Sequence, residues 1–180
     1  MRVIADIDVL GDVEFQRRIA RLSLALLGVT ALLAVLLGLV RGGERIDLWW
    51  WVALAAGTLV ALPVHELVHG VAFKLLCPGC RVSFGFQDAF LYTRTEGAVL
   101  PRARMVAVLL APAVLVSGAL LAGAVAAGLT VLATLLAGVH LSGCAGDLLM
   151  AVAALRERAC THVRDTETGV TLLSDREEDE

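Results

Sequence analysis

The sequence predicts an all-α integral membrane protein of about four transmembrane helices, with a small cytoplasmic β-hairpin between helices 2 and 3. Three observations predict it. Of the 180 residues, 58% are hydrophobic, against roughly 45–50% in soluble domains, and the mean hydropathy is +0.81. Charge is segregated: Leu22–Val40, Leu48–Phe73 and Met105–Leu155 carry almost none of it. Between the second and third of these stretches the apolar pattern changes from continuous to alternating.

Residues 1–18 form a polar cytoplasmic lead-in, read as part strand or interfacial helix. The first span covers Ile19 to Val40, and the loop Arg41–Asp47 leads to a second from Leu48 to Leu76. As a helix the second span is about 43 Å long, against a hydrocarbon core of about 30 Å, so it tilts or projects. Pro63 is expected to kink it. Trp49, Trp50 and Trp51 begin this span, where an interfacial aromatic belt belongs. Over residues 81–99, Val82, Phe84 and Phe86 alternate with polar or small residues, Asp88 breaks the run, and Phe90–Thr95 follows, which is a hairpin pattern. Met105–Leu155 is long enough for two crossings at about 20 residues each. It divides near Gly128 into spans at Ala103–Ala127 and Thr130–Leu155, whose small residues permit close helix packing. The spans thus occupy residues 19–155. Residues 156–180 form a cytoplasmic tail that ends in an acidic run expected to be solvated, with a second small hairpin over Val163–Leu172.

Basic residues orient the spans. With the N-terminus inside, the inner segments hold Arg2, Arg17, Arg18, Arg21, Lys74, Arg81, Arg94, Arg102, Arg104, Arg156, Arg158, Arg164 and Arg176, and the outer loops only Arg41 and Arg45. Both termini are therefore expected in the cytoplasm. One Lys against fourteen Arg, with an acidic tail, suits a prokaryotic cell membrane. The net charge of −3 offers no basic surface for nucleic acid. Cys77-Pro78-Gly79-Cys80 has redox or metal spacing, which a tight turn at a helix end explains as well, and its cytoplasmic placement argues against a disulfide. Cys144 and Cys160 read as packing residues.

Chemistry concentrates in His65-Glu66-Leu67-Val68-His69. Residues four apart share a helix face, so both imidazoles can address one ion, while Glu66, one step round, can take a proton from a zinc-activated water. Ionisable groups inside a membrane helix are costly and mark function; here three fall within five residues. A catalytic zinc needs a third protein ligand. Asp147 in the last span lies about 12 Å from its inner end, and His69 about 10 Å from its own, so the two share a level of the membrane. His140, seven residues before Asp147, is the alternative ligand, a proton relay or an outer partner of a ligand. His162 reads as a surface residue.

HELVHG in one span, Ala111-Pro112 in the next and Ser142-Gly143-Cys144-Ala145-Gly146-Asp147 in the last resemble the site-2-protease-like zincin peptidase family of membrane proteins. The resemblance covers roughly Leu22 to Leu172. It implies Zn²⁺ bound by His65, His69 and Asp147, Glu66 as the general base, and hydrolysis of membrane-anchored protein or peptide substrates. Leu148 follows Asp147 here, where better-known members carry an Asn-Pro-x-Asp-Gly motif. The hairpin, with Phe84 and Phe86, suits strand addition to an unwound substrate segment. Two other functions share the same ligands: a non-catalytic membrane protein that binds or transports metal, and a pseudoprotease regulator.

Overall fold

The computed structural model describes residues 1–41, 44–87 and 90–176, and among these the side chains of 86, 87, 90 and 91 are left out of the description. Phe86 as a substrate contact, the break at Asp88 and the end of the acidic tail therefore lie outside the described residues. The chain runs β1 (Arg2–Asp8), α1 (Val13–Arg41), α2 (Leu48–Leu76), β2 (Val82–Gln87), β3 (Phe90–Thr95), β4 (Val99–Pro101), α3 (Arg102–Ala126), α4 (Thr130–Gly143), α5 (Ala145–Arg156), β5 (His162–Asp165) and β6 (Gly169–Ser174).

Caps set where the long helices start. Asp12 Oδ1 accepts from the backbone N–H of Glu14 and of Phe15 at the head of α1, and Asp47 Oδ1 accepts from Trp50 N at the head of α2. Both satisfy donors that a first turn leaves unpaired. The first turn of α4 has no side-chain cap of its own. Glu44, from the α1–α2 loop, reaches across to accept from Val131 N and Leu132 N and from Trp50 Nε1. Burial opposes its ionisation, but those hydrogen bonds prevail and hold its carboxyl below the usual range. Gly128, at a φ of +79°, turns the chain between α3 and α4 where the sequence placed that turn.

The helices α1, α2 and α3 are each long and apolar enough to cross a membrane, and α4 with α5 makes a fourth if that bent pair is one span. Their outward faces are apolar: Leu24, Leu32, Val35, Leu36 and Leu39 of α1, Leu59 of α2 and Val114 of α3 are all exposed, a pattern compatible with contact to lipid. The expected single helix over Thr130–Leu155 is instead two helices at 56°. The break has a local cause. Cys144 N–H bonds to the carbonyls of both His140 and Leu141, and the Ser142 carbonyl accepts from Ser23 Oγ of α1 at 2.8 Å. A side chain inserted into the helical ladder is a recurrent cause of kinks.

The all-α expectation also needs correction. The second hairpin expected over Val163–Leu172 is present as β5–β6, and it is joined by β4 and by β1 of the lead-in in a four-stranded antiparallel sheet of order β1-β6-β5-β4. Asp6 faces Thr171 in the register, and Thr171 Oγ1 donates to Asp6 Oδ1 at 2.7 Å. The sheet packs under one end of the bundle: Leu100, Val163, Val170 and Leu172 share a core with Phe73 of α2, Met105 and Val108 of α3, and Ala151 and Ala154 of α5. The predicted hairpin is present as β2–β3, pairing Val82 with Thr95 through Gln87 with Phe90. Cys77 and Cys80, expected as free thiols, are joined as a disulfide at the end of α2.

Candidate metal centre

Two helices, α2 and α5, deliver the three donors. One face of α2 carries His65 and His69. The bend at Cys144 brings Asp147 to them in the first turn of α5, where the positive end of a helix dipole favours a carboxylate. His65 Nε2 and His69 Nε2 lie 3.1 Å apart, and Asp147 Oδ2 is 3.3 Å from the former and 3.5 Å from the latter. These three atoms form a triangle. A tetrahedral zinc with bonds of about 2.0–2.1 Å holds its donors about 3.3–3.4 Å apart, so two neutral imidazoles and a carboxylate, all largely buried, fit that ion in both chemistry and spacing. Together they form a group able to hold a metal.

The remaining nitrogens are also engaged. His69 Nδ1 is 3.1 Å from the backbone carbonyl of Val108 on α3. Because a carbonyl only accepts, Nδ1 carries the proton and the lone pair of His69 sits on Nε2, inside the triangle. His65 Nδ1 is 3.2 Å from His140 Nε2, and His140 Nδ1 is 2.8 Å from Ser117 Oγ. A His65 that presents its Nε2 lone pair to the triangle must carry its proton on Nδ1. His140 Nε2 then accepts that proton's hydrogen bond, and His140 Nδ1–H donates to Ser117.

His140 thus lies on the far side of His65 from Asp147. Cys144, fully buried as a packing residue should be, lies there too: its Sγ is 3.7 Å from His65 Nδ1 and 3.8 Å from His140 Nδ1. His65, His140 and Cys144 make a second group able to hold an ion, sharing His65 with the first. Nothing in the sequence marked Ser117 or the Val108 carbonyl, although the proline four residues beyond Val108 is a signal for the latter. His162 stands apart, half-buried beside Thr161 and 3.9 Å from Asp175.

The hairpin lies against α2 beside the histidines. Thr93 Oγ1 donates to the Glu66 carbonyl at 2.8 Å. The Phe84 ring rests on Gly70, where an added Cβ would come within 2.4 Å of Phe84 Cζ. Glu66 itself is half-buried and near enough to His69 to act on it electrostatically. Asp165 of β5 anchors the hairpin, accepting from Thr95 N at 2.6 Å and Thr95 Oγ1 at 2.7 Å. Burial pushes the Asp165 carboxyl up, and the two hydrogen bonds from Thr95 offset only part of that.

A family model described as "Putative zincin peptidase" matches residues 58–161, a stretch that contains both histidines, Glu66, the hairpin, α3 and Asp147. No curated protein and no solved structure matches the chain.

Proposed function

The chain belongs to the "Putative zincin peptidase" family, and from that premise we propose that it is an intramembrane zinc metallopeptidase of the site-2-protease-like kind. In this proposal His65, His69 and Asp147 hold the ion, Glu66 is the general base, and the substrates are membrane-anchored proteins or peptides. The observation that carries the proposal is the triangle of donor atoms at 3.1, 3.3 and 3.5 Å. Zinc held there supplies Lewis acidity, lowering the pKa of a water to about 7 and polarising a scissile carbonyl.

The chain's own residues divide the rest of the work. Glu66, adjacent to a ligand and not itself part of the triangle, accepts the proton of the attacking water and returns it to the leaving amide nitrogen. His140 is assigned as the outer partner of His65 rather than as a ligand, because His65 can offer a lone pair to one side only while its other nitrogen stays protonated. A substrate helix must unwind before its carbonyls are accessible, and the β2–β3 hairpin beside Glu66 offers a strand edge to hold the extended segment. The concentration of basic residues at the sheet end supports placing that end, with both termini, in the cytoplasm of a prokaryotic cell, and the Cys77–Cys80 disulfide at the same end counts against it.

The test is Glu66→Gln. The amide keeps the size of the side chain but cannot serve as the base, so zinc content should stay at the wild-type level while cleavage of a membrane substrate falls by two to four orders of magnitude. Two readings compete: non-catalytic metal binding or transport, which the second group of His65, His140 and Cys144 favours, and a pseudoprotease regulator. Zinc binding without cleavage by the wild-type protein would support one of those over the enzyme.

A further inference from the structure

The hydrogen bond from His69 Nδ1–H to the Val108 carbonyl poses a question of supply. In an α-helix the carbonyl of residue i accepts from the N–H of residue i+4. For Val108 that residue is Pro112, which lies inside α3 and has no N–H. We infer that Pro112 is a positioning residue for the metal centre. By leaving the Val108 carbonyl without a helical partner, it gives His69 an acceptor and thereby fixes which ring nitrogen faces Asp147. The inference rests on the zinc reading above.

Burial makes the pairing compulsory. Val108 is fully buried and Pro112 is among the side chains below 2% exposure, so water cannot readily serve the orphaned carbonyl. In a membrane helix an unserved backbone group costs several kcal/mol. Proline and histidine therefore solve each other's problem: one removes a donor, and the other brings one from a neighbouring helix. A neutral imidazole with its proton on Nδ1 must carry its lone pair on Nε2, and His69 Nε2 lies 3.1 Å from His65 Nε2 and 3.5 Å from Asp147 Oδ2. The alternative tautomer would aim an N–H at the ion. An N–H at position 112 would draw the Val108 carbonyl back into the helical ladder. Because a carbonyl has two lone pairs, the bond to His69 would weaken without vanishing.

The experiment measures zinc affinity by chelator competition for the full-length protein and for Pro112→Ala, both in detergent or nanodiscs, with helix content of the apo form recorded alongside. Alanine is the better helix former, so apo helix content should be retained while the zinc Kd rises several-fold, up to roughly ten-fold, part of the ten- to hundred-fold cost of losing a ligand's outer partner outright. A Kd within about twofold of wild type would overturn the inference. Imidazole NMR of the zinc-loaded wild type, labelled with ¹⁵N-histidine, needs no variant: His69 should show a protonated Nδ1 and a metal-bound Nε2, and the reverse would overturn it. A wild-type protein that binds no zinc would sink the metal reading itself; zinc binding that Pro112→Ala leaves intact would sink only the role of the proline.

Discussion

Gly70→Ala isolates the hairpin from the metal. At Gly70 a Cβ would stand 2.4 Å from Phe84 Cζ and 2.9 Å from Phe84 Cε1, whereas ordinary contact begins at 3.4 Å. The ring must therefore retreat by at least about 1 Å, the difference between 3.4 and 2.4 Å. Phe84 lies mid-strand in β2 and is 56% exposed, so the ring either swings off Gly70, loosening the hairpin's seat on α2, or carries the strand with it. In the helix itself alanine is favoured over glycine by about 1 kcal/mol, so global stability should stay within about that amount of wild type. If the hairpin presents substrate to Glu66, a displacement near 1 Å should lower cleavage by ten- to a hundred-fold with zinc content unchanged. The assay pairs cleavage of a reconstituted membrane substrate with metal analysis of the same sample. The double variant Gly70→Ala with Phe84→Ala removes the clash and separates displacement from loss of the ring. Wild-type cleavage by Gly70→Ala would refute the seat of Phe84 on Gly70 as part of a substrate clamp.

Two further predictions concern the ends of the bundle. Burial raises the folded pKa of Asp165, so its contribution to stability should fall as pH rises from the unfolded value through the folded one and stay low above it. Asp165→Asn, which keeps an acceptor for Thr95, should unfold no earlier than wild type at neutral pH and lose that pH dependence. Asp165→Ala, which strands two buried donors, should cost about 2–4 kcal/mol; thermal unfolding from pH 4 to 8 would reveal the opposite order if the charge itself were stabilising. Glu44 has the reverse sign. Its lowered pKa means stability present above the unfolded value and lost as pH falls through the folded one. Glu44→Gln should therefore be destabilised by about 1–2 kcal/mol at neutral pH, with the gap closing in acid; a gap that persists there would show that something other than the carboxylate's charge is responsible.

Much of the site was legible because ionisable side chains in an apolar run are conspicuous. His65, Glu66 and His69 stand in an apolar run, and depth along two helices was enough to pair Asp147 with them. The hairpin was legible because Val82 and Phe84 alternate with Ser83 and Gly85 in a chain otherwise continuous in its hydrophobicity. The four-stranded sheet was less so. The pairing of β1 with β6 shifts register between Val3 and Ala5, and such an irregularity breaks the alternation by which a strand is recognised. Hydropathy is also blind to the bend at Cys144. Residues on both sides are equally apolar, and the cause is a hydroxyl from Ser23, more than a hundred residues away in the chain. Ser117 and the Val108 carbonyl could not be identified as partners of the histidines before α3 was placed against α2.

The central claim is that His65, His69 and Asp147 converge on one zinc ion. Metal analysis of the purified protein beside Asp147→Ala and His140→Leu tests it most directly. The wild-type protein should carry about one zinc per chain, Asp147→Ala should retain none after dialysis against a mild chelator, and His140→Leu should still bind zinc, though more weakly. Zinc held by Asp147→Ala but lost from His140→Leu would place the ion on the other side of His65, with His140 and Cys144, and contradict the account.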